Sequence, residues 1–530
     1  MARSIICILM FYSILSNAQQ SAFIKVFDNS NADGVYSVAQ DVDSNYILAG
    51  YTNQLNDDAF LIKVNNKGEI INNKVFDGGN TDGFSAVSLC SDGYILCGNS
   101  YSFGAGSRDG ELVKLDYQSN IIWQMCYGGL NNEALRYSVE TTEKNIISVG
   151  NTESFTAGIL DVYLQKTDSV GNYLWGKGYG GVDIENAKEV RQTIDGGYII
   201  IGYSKSFDIQ SSSDKNIYIV RTDSLGEIEW SKVYNRTVIT PSADYGDAIL
   251  ALENGNFIIA GESWNTGSDY LIMELSPLGN IIWAKIYDSN IVSGSLDDPD
   301  AIIKVNGGYV FCGDSEQPIG GSEDPMPTLI KIDTLGNVVW AKVFESENYT
   351  NGYGVIHTLD GGYAMAATES GTNRRSWLIK TDSLGNIPYC DQVSDLQLTV
   401  SNATLTVTNA NTIVTPGGIQ TACNFTVDTL EMTETIKCKG WTGVEEMGVK
   451  EMHINVYPNP AQNNVIVAGM YSGNEHVVLL KNALGQTVVT TTTTETSSTL
   501  DVSKLPIGLY FVIIQENDQD IYNQKLVIER

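Results

Sequence analysis

The sequence predicts an all-β protein: a ring of seven four-stranded units, that is a seven-bladed β-propeller, followed by a small C-terminal β-sandwich. Three observations carry this prediction. Two short signatures recur seven times at intervals of roughly fifty residues. Tight-turn residues divide each repeat into two hairpins. A strand that ends most repeats is missing from the last one and stands alone at the N-terminus.

The first signature is an aromatic residue, three small or apolar residues and a glycine. It occupies residues 46–50, 94–98, 198–202, 257–261 and 309–313, with degraded copies at 145–150 and 363–367. The second runs from a basic residue (Lys63, Lys114, Lys166, Arg221, Lys331, Lys380, with Glu274 in the fifth copy) to a large residue. That last residue is Trp123, Trp175, Trp230, Trp283 or Trp340 in five copies. The fourth unit reads as two hairpins. Residues 189–193 and 198–204 flank Asp195-Gly196-Gly197, and 217–222 and 227–234 flank a turn at 223–226. Glycine after aspartate supplies the positive φ of a tight hairpin turn. Four short strands repeated in this way describe propeller blades.

The seventh unit stops at Tyr389 without the tail that closes the sixth, residues 340–344. The matching tail is Phe23-Ile24-Lys25-Val26-Phe27. The first strand should therefore complete the last blade and remove an open sheet edge. These repeats resemble those of secreted bacterial seven-bladed propellers over roughly residues 21–389.

Residues at fixed repeat positions read as structural. The tryptophan column suits packing between blades. The basic residues of the third and fourth strands, with Asp116, Asp168, Asp223, Asp333 and Asp382, suit ladder pairs or turn bonds. Cys97 and Cys312 share a repeat position filled elsewhere by alanine and read as small core residues.

Composition limits the function. The 530 residues hold 63 acidic and 32 basic side chains, a net charge of −31, which argues against nucleic acid as a partner. Three histidines leave little room for histidine-based metal sites or triads. There is no GxSxG, HExxH, CxxC or phosphate-binding glycine loop. Arg3, an apolar run at 5–15 and Ser16-Asn17-Ala18 read as a signal peptide, residues 1–18, cleaved after Ala18. No later segment is apolar enough for a membrane helix, so an integral helical membrane protein is not expected.

Function should lie on the face carrying the long, variable links, because propeller ligands meet loops held by a rigid scaffold. That face is acidic and aromatic. Its candidates are Asp58, Asp109, Asp161 and Asp269 at one offset before the third strand, the recurring Phe103, Phe155 and Phe207, nearby Trp264, and Asp297, Asp298 and Asp300. A sugar or peptide platform fits these residues, and so does a solvated, loop-capping acidic face. Calcium on the carboxylates is the one cofactor the pattern admits, although no segment matches a DxDxDG loop. The reading is a non-enzymatic binding or adhesion module for glycans or surface partners. Its rivals are a carboxylate-dependent polysaccharide hydrolase or lyase, and a scaffold.

The propeller is assigned residues 19–389, and 390–450 a β-rich spacer with one disulfide among Cys390, Cys423 and Cys438. Residues 451–530 read as several short alternating strands separated by Gly, Asn and Pro turns, a compact sandwich. Tyr457-Pro458-Asn459-Pro460, Gly485, Asp501, Leu505, Gly508, Tyr510 and Lys525 are its landmarks. Their order resembles the type A C-terminal sorting domain of the Bacteroidetes type IX secretion system. The resemblance implies passage through the periplasm, recognition by the type IX machinery, and a secreted or outer-surface destination. It also suggests O-glycosylation at triplets such as Asp428-Thr429-Leu430.

Overall fold

The computed structural model describes residues 22–440 and 455–529, less 30–32, 53–56, 208–214, 237–242, 265–266, 290–296, 317–323, 372–373, 431, 470–475, 483–485 and 517–518. The signal-peptide reading and Gly485 lie outside the described residues. Two units are distinguished, residues 1–442 and 443–530.

The first unit contains seven antiparallel sheets, one per repeat. The innermost strands are Gly34–Gln40, Asp82–Cys90, Glu133–Glu140, Glu185–Gln192, Asp244–Ala251, Asp297–Val305 and Thr350–His357, which define blades one to seven. The N-terminal strand Ala22–Asp28 pairs with Arg375–Thr381 of blade seven, with Phe23 opposite Lys380. The ring thus closes as the orphan tail predicted.

Each sheet has five strands rather than four, and the fifth comes from the segment read as a spacer. Val393–Asp395 lines blade six, Thr399–Asn402 blade five, Leu405–Asn409 blade four and Ile413–Pro416 blade three. Ile419–Ala422 lines blade two, Thr426–Asp428 blade one and Thr433–Gly440 the outer strand of blade seven. Residues 393–440 therefore form a belt that circles the ring against the direction of the chain. It covers the outer edge of every blade, which would otherwise offer unpaired backbone groups. Cys390–Cys438 joins the belt's two ends, and Cys126–Cys423 ties it to blade two. Cys423 thus pairs outside the group of three that the sequence suggested. Cys90, Cys97 and Cys312 are free and buried.

The tryptophan column locks neighbouring blades together. Gly226 and Gly336 hold positive φ in their hairpin turns, and a Cβ on either would lie 2.9 Å from the ring of Trp175 or Trp283 in the preceding blade. Tyr179 and Tyr287 donate their hydroxyls to the carbonyls of the same glycines, at 2.7 Å. Lys177 and Lys232 donate to turn carbonyls of the next blade, Leu225 and Leu278. Asp168, Asp223 and Asp333 each accept two backbone N–H groups of their own turn. Third-strand Lys63, Lys114 and Lys380 pair with Asp41, Asp92 and Asp360 of the first hairpin turn, at 2.7–3.0 Å. The repeated ions are consumed by the architecture.

The second unit holds a three-stranded sheet (Asn455–Tyr457, Asn464–Ala468, Ser497–Asp501) and a four-stranded sheet (Thr487–Thr493, His476–Asn482, Gly508–Glu516, Gln519–Ile528). Val465, Val467, Val478, Leu480, Leu500, Val512, Ile514 and Leu526 fill one core. Asn459 bonds twice to the last strand, donating to the Lys525 carbonyl and accepting from Val527 N–H. Tyr510 donates to the Pro506 carbonyl. The landmark residues thus fix the corners of the sandwich.

Candidate functional site

The innermost strand of each blade carries one extra residue against its partner, at the same place in all seven. The pairing register slips between Val35 and Ser37, Phe84 and Ala86, Leu135 and Tyr137, and Ala187 and Glu189. It slips likewise between Gly246 and Ala248, Pro299 and Ala301, and Gly352 and Gly354. The bulged residues are Tyr36, Ser85, Arg136, Lys188, Asp247, Asp300 and Tyr353. All seven line one cavity of about 730 Å³, formed between the innermost strands. Bulges re-aim side chains, and here they aim one per blade at the axis. The fold sets the same geometry seven times, while no single residue type fills it.

The ring is sorted by chemistry. Tyr36 and Tyr353 lie with ring centroids 4.8 Å apart, and Tyr36 stacks on Tyr51 at 5.1 Å. Arg374 donates to the Tyr51 hydroxyl at 2.9 Å. Burial drives the Tyr36 hydroxyl far above its ordinary pKa, so it stays a neutral donor. Lys188 and Asp247 form an ion pair at 3.1 Å. Arg136 has no ion-pair partner among the described residues. Burial and the like charge of Arg108 lower its pKa. Arg108 also lines the cavity, leans over the Tyr101 ring, and has a buried Nε without an acceptor. Asp300 forms no ion pair within 4 Å among the described residues. Burial holds its carboxyl well above the usual range, opposed by Lys188 and reinforced by Asp247 and Asp298.

More carboxyls stand behind Asp300. Glu262 is hydrogen-bonded to Asp298 and accepts from Trp264 Nε1 at 2.8 Å. Burial and the neighbouring Asp298 raise the Glu262 carboxyl to about 10, so Glu262 stays protonated at neutral pH. Burial also raises Asp314, on the strand paired with Asp298. Blades five and six are the acidic side of the ring, blades three and four the basic side, and blades seven and one the aromatic side.

The residues expected from the sequence do not converge. Asp109 and Asp161 are buried, and their carboxylates accept the Gly106 and Ala157 N–H groups of their own loops. Burial pushes both up to about 6. Asp58 is likewise buried and raised to about 6 by burial and by Asp77 and Asp82. Phe103 packs edge-on against Phe425 of the belt at 5.1 Å, and Phe155 covers belt residue Gly417. Phe207 packs on Tyr218. Trp264 lies on the acidic side of the ring, tied to Glu262. Asp269 pairs with Arg236 at 3.4 Å, and its carboxylate lies with those of Asp288 and Asp297 within 4.8 Å of one another. This is the set among the described residues that could hold a cation. Asp297 is raised to about 7 by burial. Of the expected residues, only Asp300 belongs to the axial ring.

Tyr36, Ser85, Arg136, Lys188, Asp247 and Tyr353 escaped sequence reasoning. A signal exists: each lies thirteen or fourteen residues before the last residue of the first signature, in a column that no single residue type fills.

Strand pairing and terminal core define the class: a seven-bladed propeller carrying a β-sandwich domain at its C-terminal end. Residues 455–529 match the family described as Secretion system C-terminal sorting domain. That match marks the chain as a type IX secretion cargo exported to the cell surface or beyond. No curated protein matches the chain. Among solved structures it is similar to PorZ, a surface component of the type IX secretion system of Porphyromonas gingivalis. That match has 10% identity, covers 94% of this chain and 81% of PorZ, and has a TM-score of 0.29. It is also similar to the extracellular domain of BT3049 from B. thetaiotaomicron (11% identity, 93% and 72% covered, TM-score 0.23). A third likeness is to the tail fiber of Staphylococcus aureus phage P68 (9%, 96% and 93%, TM-score 0.23). The architecture of the ring rests on its own strand pairing.

Proposed function

We propose that this cargo is a non-enzymatic binding or adhesion protein that enters the periplasm by its signal peptide and, once outside, holds a glycan in the axial cavity. The carrying observation is the bulge ring: one geometry repeated seven times, with side chains of different chemistry directed into about 730 Å³. That volume falls in the range of small-molecule sites, about 300–1,000 Å³. Stacked tyrosines beside polar and charged groups suit a sugar ring, which has apolar faces and a hydroxyl edge.

The carboxyl pair behind the ring is unsuited to hydrolysis. Glycosidases place two carboxyl groups about 5–10 Å apart to straddle the scissile bond. Glu262 and Asp298 instead bond to each other, which leaves no room for a sugar between them.

The test is incubation of the full mature chain with a panel of insoluble polysaccharides, assaying pelleted protein and released oligosaccharide in the same tubes. Co-pelleting without product, lost on Tyr36→Ala, is the expected result. Released product would overturn the non-enzymatic reading, and the absence of both signals would overturn glycan binding.

A further inference from the structure

The ring's charges do not all cancel. Proceeding from blade three to blade six, the bulged residues are Arg136, Lys188, Asp247 and Asp300. The inner two neutralise each other at 3.1 Å. The outer two have no ion-pair partner among the described residues. In a closed ring of seven blades, the third and sixth stand nearly opposite each other. One unspent positive group and one unspent carboxyl therefore face across the axis, with the Tyr36 and Tyr353 rings beside them.

Each pole is reinforced by its neighbours. Arg108 lines the same cavity beside Arg136, and its buried Nε has no acceptor. A guanidinium pair of this kind is suited to a carboxylate, which accepts two parallel N–H bonds. On the far side, Asp300 is backed by Asp298 and Asp247, and Lys188 alone opposes them. A ligand ammonium would supply the counter-charge that sector lacks. A ligand with a negative group alone would leave the acidic sector without that counter-charge, and one with a positive group alone would meet repulsion at Arg136.

Resting on the glycan-binding reading, we propose that the axial cavity selects a sugar bearing both a carboxylate and an ammonium, the carboxylate on Arg136 and the ammonium on Asp300. The tyrosines take the ring face. Arg136 and Asp300 act as specificity determinants, and neither belongs to the seams that hold the blades together.

Isothermal titration of the full mature chain with four monosaccharides tests this: muramic acid (both charges), glucosamine (ammonium only), glucuronic acid (carboxylate only) and glucose (neither). Muramic acid should bind best, by about tenfold over each singly charged sugar, the ratio one charge-assisted hydrogen bond supplies. Arg136→Gln should reduce muramic acid to the affinity of glucosamine, while Arg136→Lys keeps most of the preference. Asp300→Asn should reduce it to the affinity of glucuronic acid. Unchanged melting curves would show that the variants fold. Equal affinity for all four sugars, or variants that leave the ranking unchanged, would overturn the charge pairing while glycan binding stands. Failure of all four sugars and of the polysaccharide panel would overturn both.

Discussion

Replacing Cys423 by serine tests the belt, the least expected part of the fold. The Cys126–Cys423 bond spans 297 residues of sequence. In the chain-entropy model, a loop of that length contributes about 5–6 kcal/mol at 25 °C, above the roughly 2–4 kcal/mol typical of disulfides. The Cys390–Cys438 bond spans 48 residues and contributes about 4 kcal/mol on the same basis. Cys390–Cys438 shortens the longer loop only slightly, so the two effects are nearly independent. Cys423→Ser should therefore destabilise the ring by about 4–6 kcal/mol, and a reductant should shift the wild-type melt further than the variant's. The assay is thermal unfolding of wild type and Cys423→Ser with and without dithiothreitol, beside a non-reducing peptide map. The map should contain Cys126–Cys423 and Cys390–Cys438 peptides, with Cys90, Cys97 and Cys312 free. A Cys390–Cys423 peptide, or a melt insensitive to reductant, would refute the belt's path.

Other outcomes follow from the same geometry. Gly336→Ala puts a Cβ 2.9 Å from the Trp283 ring at a φ of 73°, and should cost about 2–4 kcal/mol in urea unfolding. Tyr287→Phe, which removes the bond to the Gly336 carbonyl, should cost about 1 kcal/mol. The acid pH dependence has a definite sign. Asp109 and Asp161 rise from 3.8 to about 6, so the folded chain holds protons that the unfolded chain releases. Their contribution is fully present below pH 3.8 and is lost as pH rises through 6, up to about 3 kcal/mol each. Asp109→Asn with Asp161→Asn should make the decline of melting temperature between pH 4.5 and 7.5 shallower than in the wild type, Asp58 and Asp297 keeping part of it. Deleting residues 455–529 should trap the protein in the periplasm, read by cell fractionation; normal surface display would contradict the sorting assignment.

The blades were legible because the signatures fall on the residues the fold uses most rigidly: turn glycines, turn aspartates and the tryptophans that cover the next turn. Ring closure was legible because Phe23–Phe27 copies a strand missing elsewhere. The belt was not. Val393–Asp395 and Thr426–Asp428 are three residues long, and their partners lie about fifty to several hundred residues away, so local alternation could reveal strands but not their pairing. The axial ring was hidden for a different reason. A bulge breaks the two-residue alternation where the interesting side chain sits, and the register slip appears only once two strands are paired. Asp109, Asp161, Phe103 and Phe155 recur at a fixed offset because they secure loops and belt in successive blades. Recurrence marked architecture, and the column that no single residue type fills marked the cavity.

On the proposed reading, ligand sits on the axis of the ring. A crystal structure of the mature chain soaked with its best-binding sugar tests it most directly. Density should lie inside the bulge ring, touching Tyr36, Arg136 and Asp300. Density confined to the outer loops beside Phe207 or Trp264, with an empty axis, would contradict it.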